Sequence, residues 1–187
     1  MPTDARPLRR DAQRNRELLV AAAREVFGAK GLDAPLEEIA RRAGVAIGTL
    51  YNRFPTRATL IEAAFAGLID EWAAIGEQAL RADDPWQGLA DFAMRTCEMQ
   101  SVDRGLTEVC VGTLPGTPAI EAAKVRAWQV TSRLVERVRE SGRLRADFQP
   151  GDLPLAIAAA TRVAEISPDD DAWRRHLGYL LDGFRAR

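Results

Sequence analysis

Apolar residues follow a helical rhythm along most of this chain. From Asp11 onward they recur as Leu18, Leu19, Ala22, Ala23, Val26 and Phe27, the stripe of an amphipathic helix over about 11–29, which Gly31 stops. The stretch PLEEIARRAG predicts a second, very short helix: Pro35 suits its first turn, Glu37 and Glu38 favour its positive end, and Gly44 ends it. A third short helix, about 47–53, is cut off by Pro55. Thr56 then caps a long helix whose buried side runs Leu60, Ala64, Leu68, Trp72, Ile75 and Ala79 and fades at residues 83–85. Further helices are expected from Trp86 to about Gln100, near 103–112, from Pro118 to about Ser141, from Asp152, and from Ser167. For the last of these, Ser167 is the expected cap and Pro168 the first helical residue, with Asp169, Asp170 and Asp171 in the first turn. The tract LPGTP (114–118) reads as a break and GRLRADFQPGD (142–152) as a loop. No strand alternation competes, so the expected fold class is all-α, with about nine helices.

The two short helices carry the informative spacing. Ile39, Ala40, Ala43, Gly44, Val45, Leu50 and Phe54 fall where a helix-turn-helix needs a small residue at the crossing, a glycine at the turn and apolar residues facing inward. With Leu50 and Phe54 inward, Gly48, Thr49, Asn52 and much of Tyr51 point elsewhere. A helix with no task would carry Glu, Lys and Ala there. The outward set instead suits a major groove. Gly48 lets a backbone approach, Thr49 and Tyr51 offer hydroxyls to phosphates, and Ile47 and Asn52 can reach base edges. Arg53 and Arg57 add cations.

Charge supports this placement only when the chain is divided. The net charge is −1, yet residues 1–60 hold eleven basic against seven acidic side chains, and the remainder fifteen against twenty. A basic head on an acidic body expects a polyanion at the N-terminal end. With 47% hydrophobic and 28% charged residues, disorder is excluded. His176 is the single histidine, which removes multi-histidine metal sites and H-E-x-x-H chemistry; G-x-S-x-G and G-x-x-x-x-G-K-[ST] are absent as well. No catalytic residue, metal or cofactor is expected. Cys97 and Cys110 lack C-x-x-C spacing and read as reduced packing residues. The segment MPTDARPLRR has no signal-peptide run and LPLAIAAAT is too short to span a bilayer, so a cytoplasmic protein without a membrane partner is expected.

At these residues the sequence resembles the TetR family of transcriptional regulators. The matching run includes REVFGAKG and LEEIARRAGVAIGTLYNRFPTRATLIEAAF and is specific over about residues 12–66. The resemblance implies a DNA-binding domain with its N-terminal arm at 1–55, and a ligand-binding and dimerisation domain at 56–187. It also implies a homodimer on palindromic double-stranded DNA, most often a repressor released by a small-molecule effector. Phosphate contacts map to Thr49, Tyr51 and Arg57, and base-reading positions to Ile47, Gly48 and Asn52. Pro35 and Ala46 depart from the pattern, standing where Thr and Ser commonly cap and bind phosphate; Arg9, Arg10 and Arg14 are candidates to compensate.

For dimerisation, Trp173, Leu177, Leu180, Leu181 and Phe184 form one stripe on the last helix, and the small residues of AIAAAT precede it. For an apolar or aromatic effector, the candidate lining is Trp72, Phe92, Met94, Cys97, Cys110 and Trp128, with space expected around Gly105, Gly112 and LPGTP. A small-molecule binder or adaptor without DNA activity is the alternative.

Overall fold

The computed structural model describes residues 5–111 and 117–186, and the side chains of 11–110 and 117–186. Among the described residues it is built from nine helices and no strand: α1 (Ala5–Lys30), α2 (Leu36–Arg42), α3 (Ile47–Arg53), α4 (Arg57–Leu80), α5 (Pro85–Ser101), α6 (Arg104–Val111), α7 (Pro118–Glu140), α8 (Asp152–Ile166) and α9 (Ala172–Phe184). The side chains of Arg9, Arg10 and Val111, together with Gly112 and the first residues of LPGTP, lie outside this description.

Two apolar cores organise the chain. In the first, the α1 stripe of Leu19, Ala23, Val26 and Phe27 meets Ile39 and Ala40 of α2, Leu50 of α3, and Leu60, Ala64 and Phe65 of α4. The second gathers Ile75 and Ala79 of α4, Leu89, Phe92, Ala93 and Cys97 of α5, Leu134, Val135 and Val138 of α7, and residues of α8 and α9. Helix α4 belongs to both. Its 24 residues extend about 36 Å at 1.5 Å per residue, long enough to join them. Its start is set locally, since Thr56 accepts from the Thr59 amide while the Thr59 hydroxyl answers the Thr56 amide.

Two expectations are corrected. Ser167 and Pro168 do not open the last helix, which begins five residues later at Ala172. The polar run forms a separate turn: the Asp169 amide donates to Ser167 Oγ (3.1 Å), and the Asp171 amide to Asp169 Oδ1 (2.9 Å). Side chains that could cap a helix instead hold turn amides, the competition that makes Ser and Asp ambiguous in sequence. The second correction concerns the α9 stripe. Trp173, Leu177 and Leu181 are buried inside their own protomer, and Leu180 and Phe184 pack on the same core, Phe184 with its ring centroid 4.7 Å from that of Phe148. A periodic stripe records that a face is covered; here α5 and α8 cover it.

Candidate DNA-reading helix and internal cavity

The turn between α2 and α3 is closed by main-chain bonds. The Val45 amide donates to the Ala40 carbonyl (3.0 Å) and the Gly44 amide to that of Arg41 (3.2 Å), a helix stop that needs a left-handed residue. Gly44 supplies it, with φ of 70°. Neither Pro35 nor Ala46 caps its helix through a side chain, so the glycine and the buried Leu50 and Phe54 hold α3 in place.

Fixed in this way, α3 exposes Gly48, Asn52 and Arg53, half-exposes Tyr51 and half-buries Thr49. Ile47 is partly buried against the first core. Packing does not explain Gly48: a methyl group there would meet no atom within 4 Å among the described residues, and its φ is not left-handed. Among the described residues nothing requires a glycine that costs the helix about 1 kcal/mol relative to alanine. Arg57 has a task that sequence did not show: its Nη1 donates to the carbonyls of Leu32 and Ala34, both at 2.7 Å, bracing the α1–α2 connection. Arg14 is exposed on α1, and Arg16 stacks on the Phe54 ring, its guanidinium carbon 5.5 Å from the centroid.

A cavity of about 230 Å³ lies in the second half of the molecule. Ile69 and Trp72 of α4, Phe92, Thr96 and Gln100 of α5, Leu106, Val109 and Cys110 of α6, Trp128 and Thr131 of α7, and Leu153 and Ile157 of α8 are among the residues that line it. Of the six candidate ligand residues, Trp72, Phe92, Cys110 and Trp128 are brought together here. Met94 and Cys97 are not, and this corrects their assignment. Met94 packs against the second core, and Cys97 is buried with its Sγ 3.7 Å from the Thr161 hydroxyl. Burial raises the Cys97 thiol to about 11, so it stays protonated at neutral pH. Cys110 is open to the cavity yet surrounded by protein, and desolvation lifts its thiol to about 11 as well. Sequence missed Thr96 and Gln100. Their one available signal is the four-residue spacing from Phe92.

Helix α6 links this cavity to the first core. Leu106, Val109 and Cys110 face the cavity, while other side chains of the same helix and its cap grip α1. Asp103 is buried, ion-paired with Arg24 of α1, and caps α6 by accepting from the Leu106 amide (2.7 Å). Glu108 accepts from the Leu32 amide (2.7 Å) just beyond the α1 stop at Gly31. Gly105 does not open space, as its position near a break suggested. A Cβ there would lie 2.8 Å from the Phe27 carbonyl oxygen and 2.6 Å from the Phe65 ring, so its bare backbone lets α6 press against α1.

Comparison with known proteins separates this arrangement from other helical folds. Residues 19–64 match the family described as "Bacterial regulatory proteins, tetR family", and residues 84–186 match "Transcriptional regulator SbtR-like, C-terminal domain". The chain belongs to the TetR family. The HTH-type transcriptional regulator SrpR of Pseudomonas putida is 40% identical over 160 residues, covering 85% of this chain and 73% of SrpR. The crystal structure of the TetR regulator SCO0520 from Streptomyces coelicolor superposes with a TM-score of 0.58 at 32% identity, over 91% of this chain and 98% of that one. A TetR regulatory protein from Mycobacterium vanbaalenii gives 0.56 at 29%, over 96% and 100%. This TetR-family chain is therefore a DNA-binding transcriptional regulator, of a kind that is not enzymatic. Among its described residues no helix is long and apolar enough to cross a membrane.

Proposed function

We propose that this TetR-family regulator is a homodimeric repressor that holds a palindromic operator and releases it when a small apolar or aromatic effector enters the cavity. The observation that carries the reading is the double engagement of α6, which faces the cavity through Leu106, Val109 and Cys110 and, with its cap, holds α1 through Asp103 and Gly105 and the turn after α1 through Glu108. A guest that repositions the cavity side of α6 alters its seat on α1, and with it the placement of α3. Effector and DNA then oppose each other through the difference in their affinities for two arrangements. Such a protein works where the operator is, in the cytoplasm.

Contacts to DNA come from Ile47, Gly48, Thr49, Tyr51, Asn52 and Arg53, with Arg57 bracing the unit from behind. Selection from random duplexes at two salt concentrations tests this. A palindrome should be recovered, with affinity falling steeply as salt rises; recovery of no duplex overturns the reading. Within that assay, Tyr51→Phe combined with Thr49→Val removes two hydroxyl contacts to phosphate and should weaken binding about thirtyfold, at about 1 kcal/mol each. The salt slope should stay the same because no charge is lost. Arg53→Ala should instead lower the slope by about one.

The dimer face is the outer surface of α8 and α9. Leu155, Ile166 and Tyr179 are 69%, 68% and 71% exposed in the protomer, large apolar groups on the two helices whose inner sides close the second core. Leu155→Asp with Tyr179→Asp should leave each protomer folded and halve the mass measured by light scattering. An unchanged mass would show that the partner binds elsewhere.

A further inference from the structure

Phe92, Thr96 and Gln100 follow one another at intervals of four and share the face of α5 that walls the cavity. Phe92 belongs to an aromatic corner, its ring 5.6 Å from that of Trp72 at an interplanar angle of 62°. The next two residues are polar in apolar surroundings. Thr96 is 3% and Gln100 5% exposed, and among the described residues neither Thr96 Oγ1 nor Gln100 Oε1 has a hydrogen-bond partner. The main-chain carbonyl of Gln100, by contrast, is engaged: it accepts from the Thr107 hydroxyl (3.0 Å) and the Asp103 amide (3.2 Å). Buried polar atoms left alone are uncommon in native proteins and call for an explanation. Both residues stand one turn apart on the same helix face and line the same cavity.

Resting on the reading of this cavity as the effector site, we propose that the effector is a neutral one- or two-ring aromatic molecule carrying a hydroxyl group, which Thr96 and Gln100 hold together. A single hydroxyl answers both residues: its O–H donates to Gln100 Oε1, and its oxygen accepts from the Thr96 hydroxyl. A carboxylate would set acceptor against acceptor at Gln100, and the cation of the cavity wall, Lys124, is ion-paired with Glu121 at 3.2 Å. An unsubstituted hydrocarbon would leave both oxygens without partners. Size points the same way, because the cavity of about 230 Å³ exceeds the roughly 150 Å³ that accommodates benzene. The ring system is matched by Trp72, Phe92 and Trp128.

The experiment compares 2-naphthol, its methyl ether and naphthalene by calorimetric titration of the full chain and of the Thr96→Val, Gln100→Leu double variant. Wild type should bind the naphthol at least tenfold more tightly than the ether. The double variant should bind the two within a factor of two, and naphthalene no more weakly than wild type does. Its melting temperature should equal or exceed that of wild type, since the substitutions remove unpartnered buried atoms. A wild-type ratio near one, a ratio that survives in the variant, or a variant that melts earlier each overturns hydroxyl recognition while leaving the effector site standing. Failure of all three compounds to bind wild type overturns the proposal and the effector reading together.

Discussion

Gly48→Leu should abolish operator binding while leaving the free protein as stable as before, or slightly more so. The two halves of this expectation have separate causes. A Cβ at this position projects from α3 with no atom of the described residues within 4 Å, so the added side chain starts into open space. Removing a helical glycine gains up to about 1 kcal/mol in propensity, so the melting temperature should hold or rise by a few degrees. If α3 is the proposed DNA contact, the same side chain would occupy the place where its backbone approaches the groove, between Thr49 and the partly buried Ile47. Affinity should fall at least a thousandfold, about 4 kcal/mol. Thermal melting and duplex binding on one preparation check both halves. A variant that binds as wild type does would place the DNA contact somewhere other than α3, and one that melts much earlier would mean that Gly48 serves the protomer itself.

Gly105→Ala is expected to act in the opposite sense, although the chemical change is almost the same. In an open helix the replacement would stabilise. Here the new methyl would stand 2.8 Å from the Phe27 carbonyl oxygen and 2.6 Å from the Phe65 ring, and the first of these belongs to the α1 backbone, which cannot swing aside. Relief requires α6 to back away from α1, loosening the buried Asp103–Arg24 pair and the Glu108 bond to the Leu32 amide. Overpacking of this kind costs about 1–3 kcal/mol, and the loosened contacts put the expected loss near the upper end. Urea unfolding should show it as a lower midpoint with unchanged slope. If α6 transmits effector binding, the variant should also retain operator affinity at effector concentrations that release wild type. A stability equal to that of wild type would show that α6 and α1 are not held together at this point.

The elements bearing on DNA were legible because their signals are local. The α2–α3 stop depends on one glycine and two main-chain bonds within six residues, and the start of α4 on Thr56 and its neighbour three positions on. Such features need no knowledge of the rest of the chain. The role of Arg57 was hidden for the converse reason. A basic residue beside a DNA-reading helix suits phosphate, and only the approach of the Leu32 and Ala34 carbonyls, from 25 and 23 residues away, reveals its bracing task. Cys97 and Cys110 show the same limit within the C-terminal helices. Both are small thiols on apolar stretches, yet one is sealed beside Thr161 and the other opens on the cavity.

What the sequence determined by itself was periodicity and punctuation: which faces of the helices are apolar, where glycine, proline and capping hydroxyls stop and start them, and that Thr49, Tyr51 and Asn52 lie opposite the anchors Leu50 and Phe54. These follow from 3.6 residues per turn and from backbone stereochemistry, which act over a few residues. Tertiary structure alone decided which surface each apolar face meets. The α9 stripe closes its own core, Tyr179 is left facing out, and Thr96 and Gln100 turn from ordinary helix polarity into cavity-lining residues with buried, unpartnered oxygens. Burial is a property of pairs of surfaces, and a single helix carries only one member of each pair.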